Sequence, residues 1–313
     1  MASRIWISRD GDMSAAGSWS GGAVPVNGDE VIFDPAFSEV AASTGLDFAT
    51  GGVTFGELFI APGWKFPIGS YGNPLKAESD VIRHYGNCML SYESKNAGVE
   101  NDTKDTIVDT AFKGPACMFS KSGSSLFTRL RVHRGNVHFD TSTTPIKAYI
   151  GHPGRPVGPA SLTLNSTGSG GGIRIILFNG RVYANLGSAT GIGVAEIYDG
   201  VWTQEAGGAV EMNVHGGRVI YDSVDASTLI IVDGGMLDTS QTSRTRTLTA
   251  VTQFAGEFVR SPQTAVGTYK DLRLQRRWRR CGRCLCTWKT HPMCGRTSSG
   301  FVHSTRRRRS NSR

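Results

Sequence analysis

The chain has 313 residues, forty of them glycine, and only 19% are charged. That excludes a mainly helical protein, because glycine is penalised inside helices and suits a chain that must turn often. The net charge of +8 is divided unevenly. Residues 271–313 hold twelve Arg and one Lys against Asp271, so residues 1–270 sum to −4, and the body is not a basic nucleic-acid-binding domain.

In chain order, MASRIWISRDGD lacks the apolar stretch of a secretory leader, and no run of 18 apolar residues occurs. Neither a signal peptide nor a membrane span is expected. Residues 1–40 read as a capping segment. Within SWSGGAVPVNGDEVIF at 18–33, Trp19 can cover the open end of an apolar stack, Gly21, Gly22 and Pro25 set turns, and Val31–Phe33 form a strand. Cys88 and Cys117 are too widely spaced for a disulfide framework. Residues 91–105 are polar and acidic and are expected to leave the body as a surface excursion.

Residues 41–265 are expected to form the body, an all-β single-stranded parallel β-helix (β-solenoid). A unit of apolar residues, a turn ending in glycine and two further strand residues recurs as LRVHRGNVHF, IILFNGRVYA, AEIYDGVWTQ, MNVHGGRVIY, IIVDGGMLDT and VTQFAGEFVR. Its glycines are Gly135, Gly180, Gly200, Gly217, Gly235 and Gly256, with gaps of 45, 20, 17, 18 and 21. Two residues after each stand Val137, Val182, Trp202, Val219, Leu237 and Phe258. Three before stand Val132, Leu177, Ile197, Val214, Val232 and Gln253. The residue directly after the glycine is mostly polar. Alternation of faces along a strand makes these an inward column beside an outward one. Units that cannot bury their apolar side alone must stack. Residues 144–159 contain four prolines and are expected to protrude as a loop.

The run W-S-G-G-x-x-P-x-x-G-D-x-V beginning at Trp19 resembles the start of β-helical proteins of tailed bacteriophages and of some bacterial surface proteins. Residues 45–70 look like the first coils of that group, and 216–240 are similar to its later coils. The resemblance spans residues 17–262. It implies a structural virion component, tail- or fibre-associated, and carries over no catalytic residue.

Carboxylates on one face of a β-helix are what glycan-cleaving members of this fold class use, and Asp199, Asp222, Asp225, Asp233 and Asp238, with Glu196 and Glu211, are the candidates for such a site. Asp199 and Asp233 precede turn glycines, where Asp is a good turn former, and Asp222 and Asp225 flank an inter-coil loop. His133 and His215 share a column with Phe178, Tyr198 and Phe254, which reads as a row of stacked rings. Glu100, Asp102 and Asp105 match no calcium-binding signature. No catalytic or metal site and no cofactor is therefore assigned, and the binding site is left unknown.

Residues 266–313 depart from the repeat. Arg, Cys, Trp and Ser crowd there, as in a shifted reading frame. The alternatives are a disordered basic arm contacting nucleic acid through Arg306–Arg309, and a zinc site from Cys281, Cys284, Cys286, His291 and Cys294. The resulting expectation is a non-enzymatic structural protein of a phage particle, made in the host cytoplasm. Its expected partners are copies of itself, other virion proteins and a host surface glycan. The rival is a glycan-degrading or glycan-binding β-helix protein.

Overall fold

The structure is a computed structural model that describes residues 2–94, 105–121, 129–140, 147–154, 158–166, 173–187, 192–225, 227–241 and 244–273. Its strands are β1 (Ser3–Ile5), β2 (Glu30–Phe33), β3 (Thr54–Ile60), β4 (Leu75–Lys76), β5 (Glu78–His84), β6 (Leu90–Ser94), β7 (Asp105–Asp109), β8 (Pro115–Lys121), β9 (Arg129–Asp140) and β10 (Lys147–Ile150). They continue as β11 (Ala160–Ser166), β12 (Ile173–Leu177), β13 (Arg181–Leu186), β14 (Ile192–Ile197), β15 (Val201–Ala206), β16 (Ala209–Val214), β17 (Arg218–Tyr221), β18 (Leu229–Asp238), β19 (Arg246–Val259) and β20 (Thr264–Asp271). Among the described residues the helical structure is one 3-10 turn, Ala16–Ser18.

All paired strands run parallel, and two continuous faces result. One passes through β1, β2, β3, β5, β7, the first half of β9, β10, β12, β14, β16 and the first halves of β18 and β19 to β20. The other passes through β4, β6, β8, the second half of β9, β11, β13, β15, β17 and the second halves of β18 and β19. The long strands β9, β18 and β19 serve both faces and turn the corner between them. The protein is a parallel β-solenoid of about nine turns.

The corner explains the glycine repeat. Val201 donates its N–H to the Gly180 carbonyl at 2.9 Å, Arg218 to Gly200 at 2.8 Å and Met236 to Gly217 at 2.9 Å, so the turn glycines lie directly over one another. Gly200 has φ +90°, and a Cβ there would lie 2.4 Å from the Gly180 oxygen. Backbone stacks on backbone, leaving no room for a methyl group. The double first gap hides a coil: Ala160 pairs with Gly135 and Ser161 with Arg181, so Ala160, after Pro159, occupies the missing glycine position.

The two apolar columns fill the interior. Val137, Leu162, Val182, Trp202, Val219 and Leu237 are buried in register, and Phe258 half-covers the end of the row. Val132, Ile150, Leu177, Ile197, Val214 and Val232 form the opposing column. Gln253 closes it as a polar exception, donating to the Gly256 carbonyl at 2.8 Å and accepting from the Tyr269 hydroxyl at 2.7 Å. A buried amide is tolerated only when so partnered.

Four expected boundaries move. Residues 1–40 are built into the stack: β1 and β2 pair with each other and β2 with β3. Trp6 and Trp19 lie inside this first coil, 5.0 Å apart edge to face, and the Trp19 indole donates to the Met13 carbonyl at 2.8 Å. The expected loop at 144–159 contains β10, a full member of one face with Ala148 and Ile150 buried. The prolines bracket this strand, so the backbone donors of β10 remain free for the ladder. The excursion at 91–105 is bounded by β6 and β7, which lie in the stack, and residues 95–104 lie outside the described residues. At the other end β20 carries the stack to Asp271, past the expected boundary at 265.

Candidate functional site

The structure distributes the weighed carboxylates over separate sides of the solenoid. Asp199, at the glycine corner, accepts the Gly200 N–H at 2.6 Å, the turn-forming role expected of it. Asp233 is exposed beside the same corner. Glu196 and Glu211 lie on β14 and β16. Glu196 contacts His215 at 3.0 Å and Arg174 at 3.6 Å, and Glu211 accepts from Asn213 at 2.7 Å.

The loop between β17 and β18 holds two of the other acids. Asp225 accepts the Gly207 N–H from the preceding coil at 2.8 Å. Asp222 stands 3.6 Å from the buried Arg246, whose guanidinium also donates to the Tyr221 carbonyl. Asp238 is buried at the end of β18. Burial raises its carboxyl, but donors on Ser240, Arg218 and Gln241 more than offset this and hold it at about 2. Six of these seven carboxylates thus bind a turn or a neighbouring side chain, and Asp105, weighed for calcium, pairs with Arg131 at 3.1 Å. Glu100, Asp102 and the cysteine- and arginine-rich residues after 273 lie outside the described residues. Among the described residues, no three His, Cys, Asp or Glu side chains are grouped to hold a metal ion.

The ring row forms over three coils. Phe178 and Tyr198 stack at 5.8 Å, Tyr198 and His215 at 4.8 Å, with interplanar angles near 20°. His133 instead meets His152 edge to face at 5.6 Å, because Gly151 takes the ring position in the coil between. Ring faces are directed along the axis at one another, so the row ties coils together. A further histidine, His84, has no distinguishing pattern in the sequence. His84 is fully buried, with Nε2 3.0 Å from the Cys88 carbonyl and 3.1 Å from that of Ala116. Both neighbours are acceptors, so Nε2 carries the proton. Burial pulls its pKa down to about 4. Cys88 and Cys117 are free thiols, and burial pushes Cys88 up to about 12 and Cys117 well above its ordinary value.

Beside the corner where Gly135, Ala160 and Gly180 succeed one another lies a half-open hollow of about 640 Å³. Lys113, Arg134 and Arg181 stand around it, with Phe112 and Pro159 adding apolar surface. Arg134 pairs with Asp109 at 3.0 Å. The signal for this place was the anomalous gap of 45 between the first two glycines.

Comparisons with protein-family models, with curated proteins and with solved structures find no match. The class of the protein is therefore the one its fold defines, a parallel β-solenoid.

Proposed function

We propose that the chain is a non-enzymatic structural protein of a bacteriophage particle, tail- or fibre-associated, made in the host cytoplasm and assembled with copies of itself and other virion proteins. The observation that carries this reading is the commitment of the candidate acids to the architecture. Asp199 and Asp225 hold backbone N–H groups, while Asp222, Asp238 and Glu196 face cations. A rigid stack whose polar groups brace successive coils suits a load-bearing part. The resemblance of the Trp19–Val31 segment to phage β-helical proteins supports the same reading. Mass spectrometry of particles purified from a lysate, together with the gene neighbourhood, tests it. The chain is expected at stoichiometric level beside capsid or tail genes, and its absence from particles would overturn the proposal.

The rival reading, a glycan-degrading solenoid, is favoured only by the meeting of Asp222 and Asp225 in one loop. It predicts reducing-end release from a polysaccharide panel that Asp222→Ala or Asp225→Ala abolishes. The structural reading predicts no release by either form.

A further inference from the structure

We infer that the recess at the Gly135–Ala160–Gly180 corner is a binding site for an acidic oligosaccharide, one bearing uronate or sulfate groups. This goes beyond the structural role and stands independently of it. The recess spans four successive coils, from Lys113 through Arg134 and Ala160 to Arg181. At the usual strand spacing of about 4.7–4.9 Å, that is roughly 14 Å along the solenoid axis. A linear polymer, rather than a compact ligand, matches such a trough.

Its charge is the reverse of the body's net charge. Residues 1–270 carry a net charge of −4, yet this corner gathers three cations, and Asp109, paired with Arg134, is the acid held against them. Lys113 and Arg181 are both exposed and enter no ion pair among the described residues. Two uncompensated cations at the two ends of a recess attract an anionic polymer and set its direction.

The floor suits a sugar better than a base. Pro159 is exposed and Gly180 half-exposed, an apolar edge against which the C–H face of a pyranose can lie, while Ala160 is buried. Ser161 donates to Asn136 Oδ1, and both oxygens keep lone pairs to accept from sugar hydroxyls. Phe112, half-buried against the core, is the single aromatic ring among the lining residues, too few for the stacking of successive bases that holds a single strand.

The test uses the full chain with oligogalacturonate and sulfated dextran, with neutral dextran and single-stranded DNA as comparators. Hydrogen exchange locates the contact, since the basic residues after 273 attract any polyanion. Protection is expected at residues 110–113, 134–136 and 181. Lys113→Glu with Arg181→Glu is expected to weaken acidic-glycan binding about tenfold or more. Lys65→Glu with Lys270→Glu, equal in net charge change, is expected to leave it within about twofold. Protection confined to residues after 273, equal loss in both double variants, equal binding of neutral dextran, or equally tight DNA binding at this corner would each overturn the inference.

Discussion

At Gly200 the difference between a hydrogen atom and a methyl group decides whether two coils can touch. The carbonyl of Gly180 lies where a Cβ would be, and the backbone has φ +90°. Gly200→Ala therefore meets both a steric and a conformational cost. A loss of about 2–4 kcal/mol is expected, read as a lower urea midpoint at unchanged slope. Ala160 occupies the equivalent place two coils earlier, between Gly135 and Gly180, so the same substitution is position-dependent along one column. His84 makes a second residue-scale prediction. Its folded-state pKa is depressed to about 4 from an ordinary 6.5, so the unfolded chain takes up a proton first as pH falls. The stabilisation is fully present above about pH 6.5 and is lost progressively down to pH 4, on the order of 3 kcal/mol. The group lies between two carbonyl acceptors on Nε2, and a second proton on Nδ1 finds no acceptor among the described residues. His84→Gln keeps a donor and removes the titration. Its melting temperature should fall less steeply between pH 6.5 and 4.5 than that of the parent chain. Asp238, held at about 2, loses its contribution only below its ordinary pKa of 3.8, outside this window.

At the scale of elements, the repeat was legible because its physics is local and strict. Six coils share one glycine register, and the columns two after and three before it are buried and apolar apart from the half-covered Phe258 and the polar Gln253. Legibility failed where a coil met the same geometry with other residues. Ala160 substitutes for glycine, and the four-residue strand β10 is too short to display an alternation among flanking prolines. The recess was illegible for a related reason: Lys113, Arg134 and Arg181 are far apart in sequence and meet only through a register that skips the obvious repeat. β20 was also missed, since its outward side is largely exposed and its inward side carries few apolar residues. It nevertheless closes one face through seven paired positions on β19, and the Leu272 N–H reaches the Gln253 carbonyl at 2.8 Å. A chain ending at Ser261 loses this strand and the Tyr269 partner of the buried Gln253. It is expected to melt several degrees lower than the full chain, as a terminal repeat contributes both its own stability and one interface.

At the scale of the whole molecule, the chain divides by contacts into residues 1–274 and 275–313, and charge divides it at the same place. Residues 274–313 carry a charge of +12 and residues 1–273 one of −4. A chain ending at Arg273 keeps every described bond between coils, including the whole β19–β20 register, so its thermal midpoint should match that of the full chain within error. Its behaviour toward polyanions should differ. The full chain is expected to bind DNA with an affinity falling steeply with salt, the slope approaching about −0.9 per phosphate neutralised on a duplex, whereas the shortened chain should lose most of that slope. Paired melts and salt titrations measure the two quantities separately. A midpoint that drops on truncation would mean that the arginine-rich segment stabilises the stack, and a drop reproduced by chelator in the full chain would assign that stabilisation to metal held by Cys281, Cys284, Cys286, His291 or Cys294. An unchanged midpoint with a lost salt slope would leave the solenoid complete at Arg273 and place the nucleic-acid affinity wholly in the residues that follow.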